Sequence, residues 1–290
     1  MDHPRTAVLG LGPMGHPIAA TLVAAAPDSV VVWNRTPARA DDLVAAGARR
    51  AETLAHAAAP VILSVLPDVA QLRERLDAET RAAWGAAGAR LVIMSTTGPD
   101  TVRSLADELA ADGISVVDAP MSGGIAGADA GTLSIMIGGA EADVTAVRPV
   151  LEIIGGAVEH LGPLGSGAVA KLCNQIVVGG TLAALGEALA LARRSGLDAE
   201  QVVELLGSGL ARSEVLSQKK QKLLSREYSS GGSTINQVKD LRYATAAADR
   251  AALPARLLPV LLEQFTEAVE QGHGDEDHAA IQELYLDPES

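Results

Sequence analysis

Unbroken apolar runs recur through the first 160 residues, and between them apolar positions return at helical spacing. The runs at 6–9, 30–33, 61–65, 91–94, 114–117 and 133–137, with a shorter one near Val158, have the length and continuity of strands buried on both faces. Ala- and Leu-rich segments at 14–26, 37–46, 68–79, 99–112 and 141–153 carry the period of helices laid on such a sheet. Their alternation predicts a doubly wound α/β layer. After His160 the turn-rich stretch LGPLGSG marks a boundary, and beyond it only helical pattern follows. Two domains are therefore expected, 1–162 with the sheet and 163–290 all helical.

The longest periodic stretch, 165–196, reads as one helix of about 40 Å at ~1.5 Å per residue. Ser166 is placed to cap its start, Arg193 and Arg194 suit the negative end of its dipole, and Gly196 suits a left-handed stop. Lys171, Asn174 and Gln175 leave one face and head an apolar seam of Val178, Leu182, Leu185 and Leu189. On this stretch alone two readings stay open: a buried structural helix with a snorkelling lysine, or a helix presenting an acid/base group.

Three further motifs carry chemistry. Gly10, Leu11, Gly12, Pro13, Met14 and Gly15 follow a strand and open a helix, the context a dinucleotide fingerprint requires. Gly10 suits a tight turn, Gly12 lets backbone approach a pyrophosphate, and Gly15 allows close helix packing. At the end of the second strand stand Asn34, Arg35 and Thr36, where an NAD site usually places a carboxylate. An amide, a guanidinium and a hydroxyl there suit the 2′-phosphate of NADP, with NAD still possible. The stretch from Asp118 to Leu133 ends a strand in a glycine-rich turn, and Ser122, Gly123 and Gly124 can form a concave site for a substrate carboxylate.

Composition narrows the class. A chain of 290 residues, 48% hydrophobic, can bury more than one core. The net charge of −13 argues against nucleic acid and anionic membrane, and no apolar run is expected to reach the ~20 residues a membrane span needs. One cysteine, Cys173, excludes an internal disulfide, fits a reducing cytoplasm, and reads as packing. His3, His16, His56 and His160 stand singly, without evident partners. The segment His273 to His278 offers Asp275 or Asp277 as a helix cap rather than a metal site, and the acidic last sixteen residues read as a solvated tail around one short helix.

GLGPMG, NRT, DAPMSGG, GTL, GSGAVAKLCNQ and VKDL, in this order along the chain, resemble the β-hydroxyacid dehydrogenase family, relatives of 3-hydroxyisobutyrate dehydrogenase and tartronate semialdehyde reductase. The resemblance implies a Rossmann domain, a helical domain like the C-terminal one of 6-phosphogluconate dehydrogenase, and homodimers or homotetramers built through the helices. It implies Lys171 as the catalytic lysine and Ser122, Gly123 and Gly124 as the carboxylate holders. Asn174 and Gln175 would lie beside the substrate, and Leu66, Pro67, Thr96 and Lys239 would contact the cofactor. The activity implied is hydride transfer between NADP(H) and a short β-hydroxy acid or aldehyde acid, without a metal. Alternatives are an imine reductase on the same scaffold, which generally lacks this lysine, and a redox-silent dinucleotide-binding protein. The chain departs from the family at Gln175, at Thr97 and Gly98, and at Gly232, Thr234 and Asn236, where a phenylalanine and aliphatic residues are usual. If those last residues line the pocket, it should be roomier and more polar than in relatives for alkyl semialdehydes.

Overall fold

The computed structural model describes residues 5–229 and 231–286, and the chain divides into two compact units, Met1–Lys171 and Leu172–Ser290. The first contains β1 (Thr6–Leu9), α1 (Gly15–Ala25), β2 (Val30–Trp33), α2 (Asp41–Ala45), β3 (Arg49–Arg50), β4 (Val61–Ser64), α3 (Val69–Arg73) and α4 (Ala78–Ala86). It continues through β5 (Arg90–Ile93), α5 (Pro99–Ala110), β6 (Ser115–Asp118), β7 (Met121–Ser122), α6 (Gly124–Ala130), β8 (Leu133–Gly138), α7 (Glu141–Ile154) and β9 (Gly155–Gly162). Among the described residues these strands form one nine-stranded sheet in the order β3-β2-β1-β4-β5-β6-β8-β7, with β9 pairing β8. Neighbours from β3 to β6 run parallel, whereas β8 is antiparallel to β6 and β7. The doubly wound expectation is met.

Register gathers the site. Leu9 pairs with both Trp33 and Ser64, Ser64 with Ile93, and Ile93 with Asp118. These residues form one row across the sheet, so the segments that follow them all leave from the same edge. The strand order reverses at β1, where a doubly wound sheet opens a crevice for a ligand.

The central strands β1, β2, β4 and β5 are mostly apolar because both of their faces are covered. Val8, Val32, Leu63 and Val92 pack with Ile18 and Leu22 of α1 and with Val147 and Leu151 of α7. Leu9, Val31, Ile62 and Ile93 pack on the opposite face with Leu72 of α3, Trp84 of α4 and Leu105 of α5.

Helix α8 (Ser166–Arg194) begins in the first unit and continues into the second, where α9 (Ala199–Ser208), α10 (Glu214–Ser225), α11 (Thr234–Arg250), α12 (Leu257–Ala268) and a 3₁₀ segment His278–Tyr285 follow. Leu182, Leu189, Leu241, Phe265 and Ile281 form the core of this unit. Gly196 takes φ +75° just past the helix end, as expected of a stop.

Several expectations are corrected. The helix expected at 68–79 is two, because Asp68 caps α3 through the N–H of Ala70 and Asp77 restarts the chain as α4 through the N–H of Thr80. The stretch 37–46 splits into a 3₁₀ turn, Pro37–Ala40, and α2. Strands β3 and β7, two residues each, are too short to leave a pattern. By length and composition α8 qualifies as a membrane span, contrary to the expectation that no run would. Half of its apolar window is packed inside the protein.

Candidate active site

The glycine loop after β1 has the geometry its residue types require. Gly10 takes φ +94°, and a Cβ there would stand 2.9 Å from both Leu66 Cδ2 and Val65 O. A Cβ on Gly15 would stand 1.9 Å from Gly10 O, so only glycine lets α1 start this close to β1. Gly12 faces open space, with no heavy atom within 4 Å of such a Cβ. Pro13 is exposed, Met14 packs partly on the core, and Leu11 is buried in it.

The end of β2 is tied to this loop. Leu11 N–H donates to Asn34 Oδ1 (2.9 Å), and Asn34 Nδ2 donates to Thr36 O (2.9 Å). Asn34 therefore braces the loop, while Arg35 and Thr36 are exposed. Arg39, not anticipated from the sequence, reaches back from the Pro37–Ala40 turn to Leu11 O (3.4 Å). Its only local signal is its spacing of four from Arg35.

Leu66 lies half-buried against Gly10, Pro67 is exposed, and Thr96 is half-buried after β5. On either side of Thr96 the buried hydroxyls of Ser95 and Thr97 have no partner among the described residues.

Ser122 closes β7 opposite Ser134, and Gly123 and Gly124 follow at φ +128° and +65°. The glycine-rich stretch beyond is not the open turn expected: α6 forms immediately, its Ala128 O accepting from Thr21 Oγ1 of α1 (3.3 Å). The chain thus turns at Gly123, between Ser122 at the end of β7 and Gly124 at the start of α6.

Lys171 is 9% exposed in the second turn of α8 and belongs to the first unit, with the loop and the Ser122 turn. Asp118, rather than Ser166, supplies the acceptors at the helix start, taking the N–H of Gly165 (2.7 Å) and of Ala168 (2.6 Å). Cys173, two residues past Lys171 and so on another side of the helix, is exposed instead of packed.

In the second unit Asn174 is half-buried and Gln175 buried. Gln175 Nε2 donates to Asp240 Oδ2 (2.7 Å) and to Gln237 Oε1 (3.2 Å), and Gln237 Nε2 donates back to Gln175 O (3.1 Å). The Gln175 amide group is thereby engaged in tying α8 to α11, where Lys239 Nζ lies 3.3 Å from Asp240 Oδ1. The atypical segment 231–236 lies along 274–278. Thr234 is fully buried and donates its hydroxyl to Glu276 O (3.1 Å), His278 N–H donates to Gly232 O (2.8 Å), and Asn236 is exposed. The Thr234 hydroxyl is thus bonded to the protein's own backbone, not presented as the open polar wall expected.

Residues 5–162 match the family model described as the NAD binding domain of 6-phosphogluconate dehydrogenase. Residues 165–285 match the model described as NAD-binding of NADP-dependent 3-hydroxyisobutyrate dehydrogenase. 3-Hydroxyisobutyrate dehydrogenase of Pseudomonas aeruginosa is 34% identical over 291 residues, 96% of this chain and 97% of its own. The chain belongs to the β-hydroxyacid dehydrogenase family. Another relative, the 2-hydroxy-3-oxopropionate reductase of Escherichia coli, is 34% identical over 278 residues, 94% of either chain. The crystal structure of 3-hydroxyisobutyrate dehydrogenase from Salmonella typhimurium superposes with a TM-score of 0.89 at 26% identity, covering 96% of this chain and 99% of that one. An imine reductase from Myxococcus stipitatus, at 21% identity and a TM-score of 0.66, shares the fold. As a β-hydroxyacid dehydrogenase, the chain is an NAD(P)-dependent oxidoreductase of hydroxy acids.

The residues present fit a nicotinamide dinucleotide. Open space at Gly12 admits a pyrophosphate to the backbone, and the orphaned hydroxyls of Ser95 and Thr97 supply hydrogen-bonding groups beside Thr96. Elsewhere the polar clusters are structural. His16 pairs with Asp42 (2.8 Å), and His160 Nε2 donates to Gly139 O (3.0 Å) and Gly162 O (2.9 Å), so neither is without a partner as expected. His3 lies outside the described residues. Asp277 caps the final 3₁₀ segment through the N–H of Ala279 (3.0 Å) and is buried against Lys219 (2.6 Å). The acidic end, as far as residue 286, is therefore docked rather than a solvated tail. Among the described residues no cluster of His, Cys, Asp and Glu is arranged to hold a metal.

Proposed function

We propose that this enzyme interconverts short aldehyde acids and β-hydroxy acids with NADP(H). Lys171 carries the reading. A buried lysine is rare in proteins, and this one occupies the same unit as the dinucleotide loop and the Ser122 turn.

The nicotinamide, when bound, supplies or takes the hydride. Lys171 Nζ moves the proton, donating as ammonium to the carbonyl oxygen in reduction and accepting from the hydroxyl as neutral amine in oxidation. The Ser122 hydroxyl and the amides of Gly123 and Gly124 take the substrate carboxylate, and Asn174 fixes the reacting group. Gly10, Gly12, Met14 and Gly15 hold the pyrophosphate. Arg35 and Thr36, helped by Arg39, take the 2′-phosphate, for which two guanidiniums without a carboxylate at the end of β2 are suited. Leu66, Pro67, Thr96 and Lys239 complete the cofactor contacts. The residue at position 171 favours this chemistry over imine reduction.

The test is a spectrophotometric screen of small aldehyde acids and β-hydroxy acids with each of the four nicotinamide cofactors. Turnover with NADPH preferred over NADH is expected; no turnover of any of them refutes the activity, and a preference for NADH refutes the cofactor assignment.

The helical domain 163–290 is assigned to substrate binding and to assembly of a homodimer or homotetramer. Val169, Cys173, Val177 and Leu191 are exposed along one face of α8, an apolar stripe suited to a second copy. Light scattering at micromolar concentration is expected to show an oligomer, and a monomer refutes it.

A further inference from the structure

We infer that Asp118 is a positioning residue of this reaction, whose carboxylate clamps the first turn of α8 to the end of β6 and so fixes Lys171 relative to the turn that begins at Ser122. The inference rests on the roles proposed above for those two residues.

Both oxygens of Asp118 are used. Oδ1 accepts from Gly165 N (2.7 Å) and Oδ2 from Ala168 N (2.6 Å), across 47 and 50 residues of chain. Lys171 follows Ala168 by less than one helical turn. In the other direction the chain runs from Asp118 to Ser122 under restraint, since Ala119 N–H donates to Ile93 O (2.8 Å) and Pro120 O accepts from Met136 N–H (3.0 Å). One carboxylate thus spans the two segments that carry the proton donor and the carboxylate turn.

The joint has no slack. A Cβ on Gly138 would lie 2.5 Å from Asp118 Oδ1 and 2.8 and 2.9 Å from the amide nitrogens of Ser166 and Gly167. A Cβ on Gly167 would lie 2.1 Å from Met136 O. The helix therefore starts in direct backbone contact with β8, and Arg103 of α5 latches the same place by donating to Leu164 O (3.1 Å).

A cap alone would not call for an aspartate. Ser166 stands at the helix start, and serine or asparagine caps a helix without burying a charge. Burial pushes the Asp118 carboxyl up, against the opposing effect of the Gly165 and Ala168 amides. What the carboxylate offers uniquely is two acceptors on one rigid plane, which set the rotation of the helix as well as its distance.

The test compares wild type with Asp118→Asn, which keeps one acceptor and turns an NH₂ toward the other amide, and Gly138→Ala, which crowds the same joint but keeps the carboxylate. Four quantities are measured: NADPH affinity, kcat on the substrate the wild type prefers, the primary isotope effect with C4-deuterated NADPH, and hydrogen exchange of the peptide 163–171. In both variants kcat per cofactor-binding site is expected to fall about 10- to 100-fold. NADPH affinity stays unchanged, the isotope effect rises as hydride transfer becomes limiting, and the peptide exchanges faster. A residue that only stabilises the fold would lower the melting temperature and leave kcat per site and the isotope effect at wild-type values. That result in both variants overturns the inference, as does wild-type kcat in whichever variant folds. A wild type inactive in the substrate screen overturns the functional reading and this inference with it; active wild type with unaltered variants overturns this inference alone.

Discussion

On the proposed reading, proton transfer and cofactor binding fall on different side chains, so substitutions at Lys171 and Arg35 have separable signatures. Lys171→Met keeps an unbranched side chain and removes the ammonium. The expected result is a loss in kcat of about 10²- to 10⁴-fold with NADPH affinity nearly intact; unchanged kcat in single-turnover assays excludes Lys171 as the acid. Arg35→Ala and Arg39→Ala are each expected to weaken NADPH by about 10- to 100-fold while sparing NADH, because a charged hydrogen bond to phosphate exists only in the former. Energy transfer from Trp33, which ends β2 beside this site, provides the titration signal. Equal losses for both cofactors would count against the assignment. Arg35 is legible from its place after a strand, but Arg39 is not, since its contact with Leu11 O spans 28 residues. Asn34 reads from sequence as a ligand, but its bracing of the loop does not, for the same reason of distance: its partner Leu11 is 23 residues away.

Among the elements, the β1–α1 loop gives the sharpest contrast, because two of its glycines exist for different reasons. Gly12→Ala places a methyl in open space, so melting temperature without cofactor should be unchanged while NADPH affinity drops. Gly15→Ala drives a methyl onto Gly10 O and should destabilise the fold by about 1 to 3 kcal/mol or more. Thermal melts with and without NADPH distinguish them, and wild-type NADPH affinity in Gly12→Ala would remove the loop from the binding site. The local pattern already marks this loop, because strand, glycines and helix are contiguous. It does not mark α6, where glycines and alanines sit in a helix that packs on α1, nor the cap of α8, whose acceptor comes from β6.

For the molecule as a whole, the C-terminal segment supplies a pH-dependent contribution to stability. Burial penalises the Asp277 charge, but Lys219 and the field of His278 outweigh it and hold the carboxyl below its ordinary range. A native value below the unfolded one means that the stabilisation is complete above the unfolded value of about 4 and is lost as pH falls through the native value. Asp277→Asn should therefore flatten the fall of melting temperature in the acid range. At neutral pH it should cost roughly 3 kcal/mol or more, because Lys219 and Lys222 are left facing each other without the carboxylate. Melting curves from neutral pH into the acid range check both, and parallel curves for variant and wild type would exclude Asp277 as the titrating group. Glu283 acts in the same direction, held by Arg226 and Tyr228 against its burial.

What the sequence determined by itself is what depends on neighbours in the chain. The strands β1, β2, β4, β5, β6 and β8 follow from apolar runs, the dinucleotide loop from contiguous glycines, and the shared face of Lys171, Asn174 and Gln175 from helical period. Tertiary structure alone decided which of these polar groups is held by the protein. Gln175 is engaged by Asp240, Thr234 by Glu276, Asn34 by Leu11, and Asp277 by two lysines. Asp118 joins α8 to the sheet across some fifty residues. The reason is that a hydrogen bond is fixed by position in space, whereas hydrophobic period and turn preference are fixed by position in the chain.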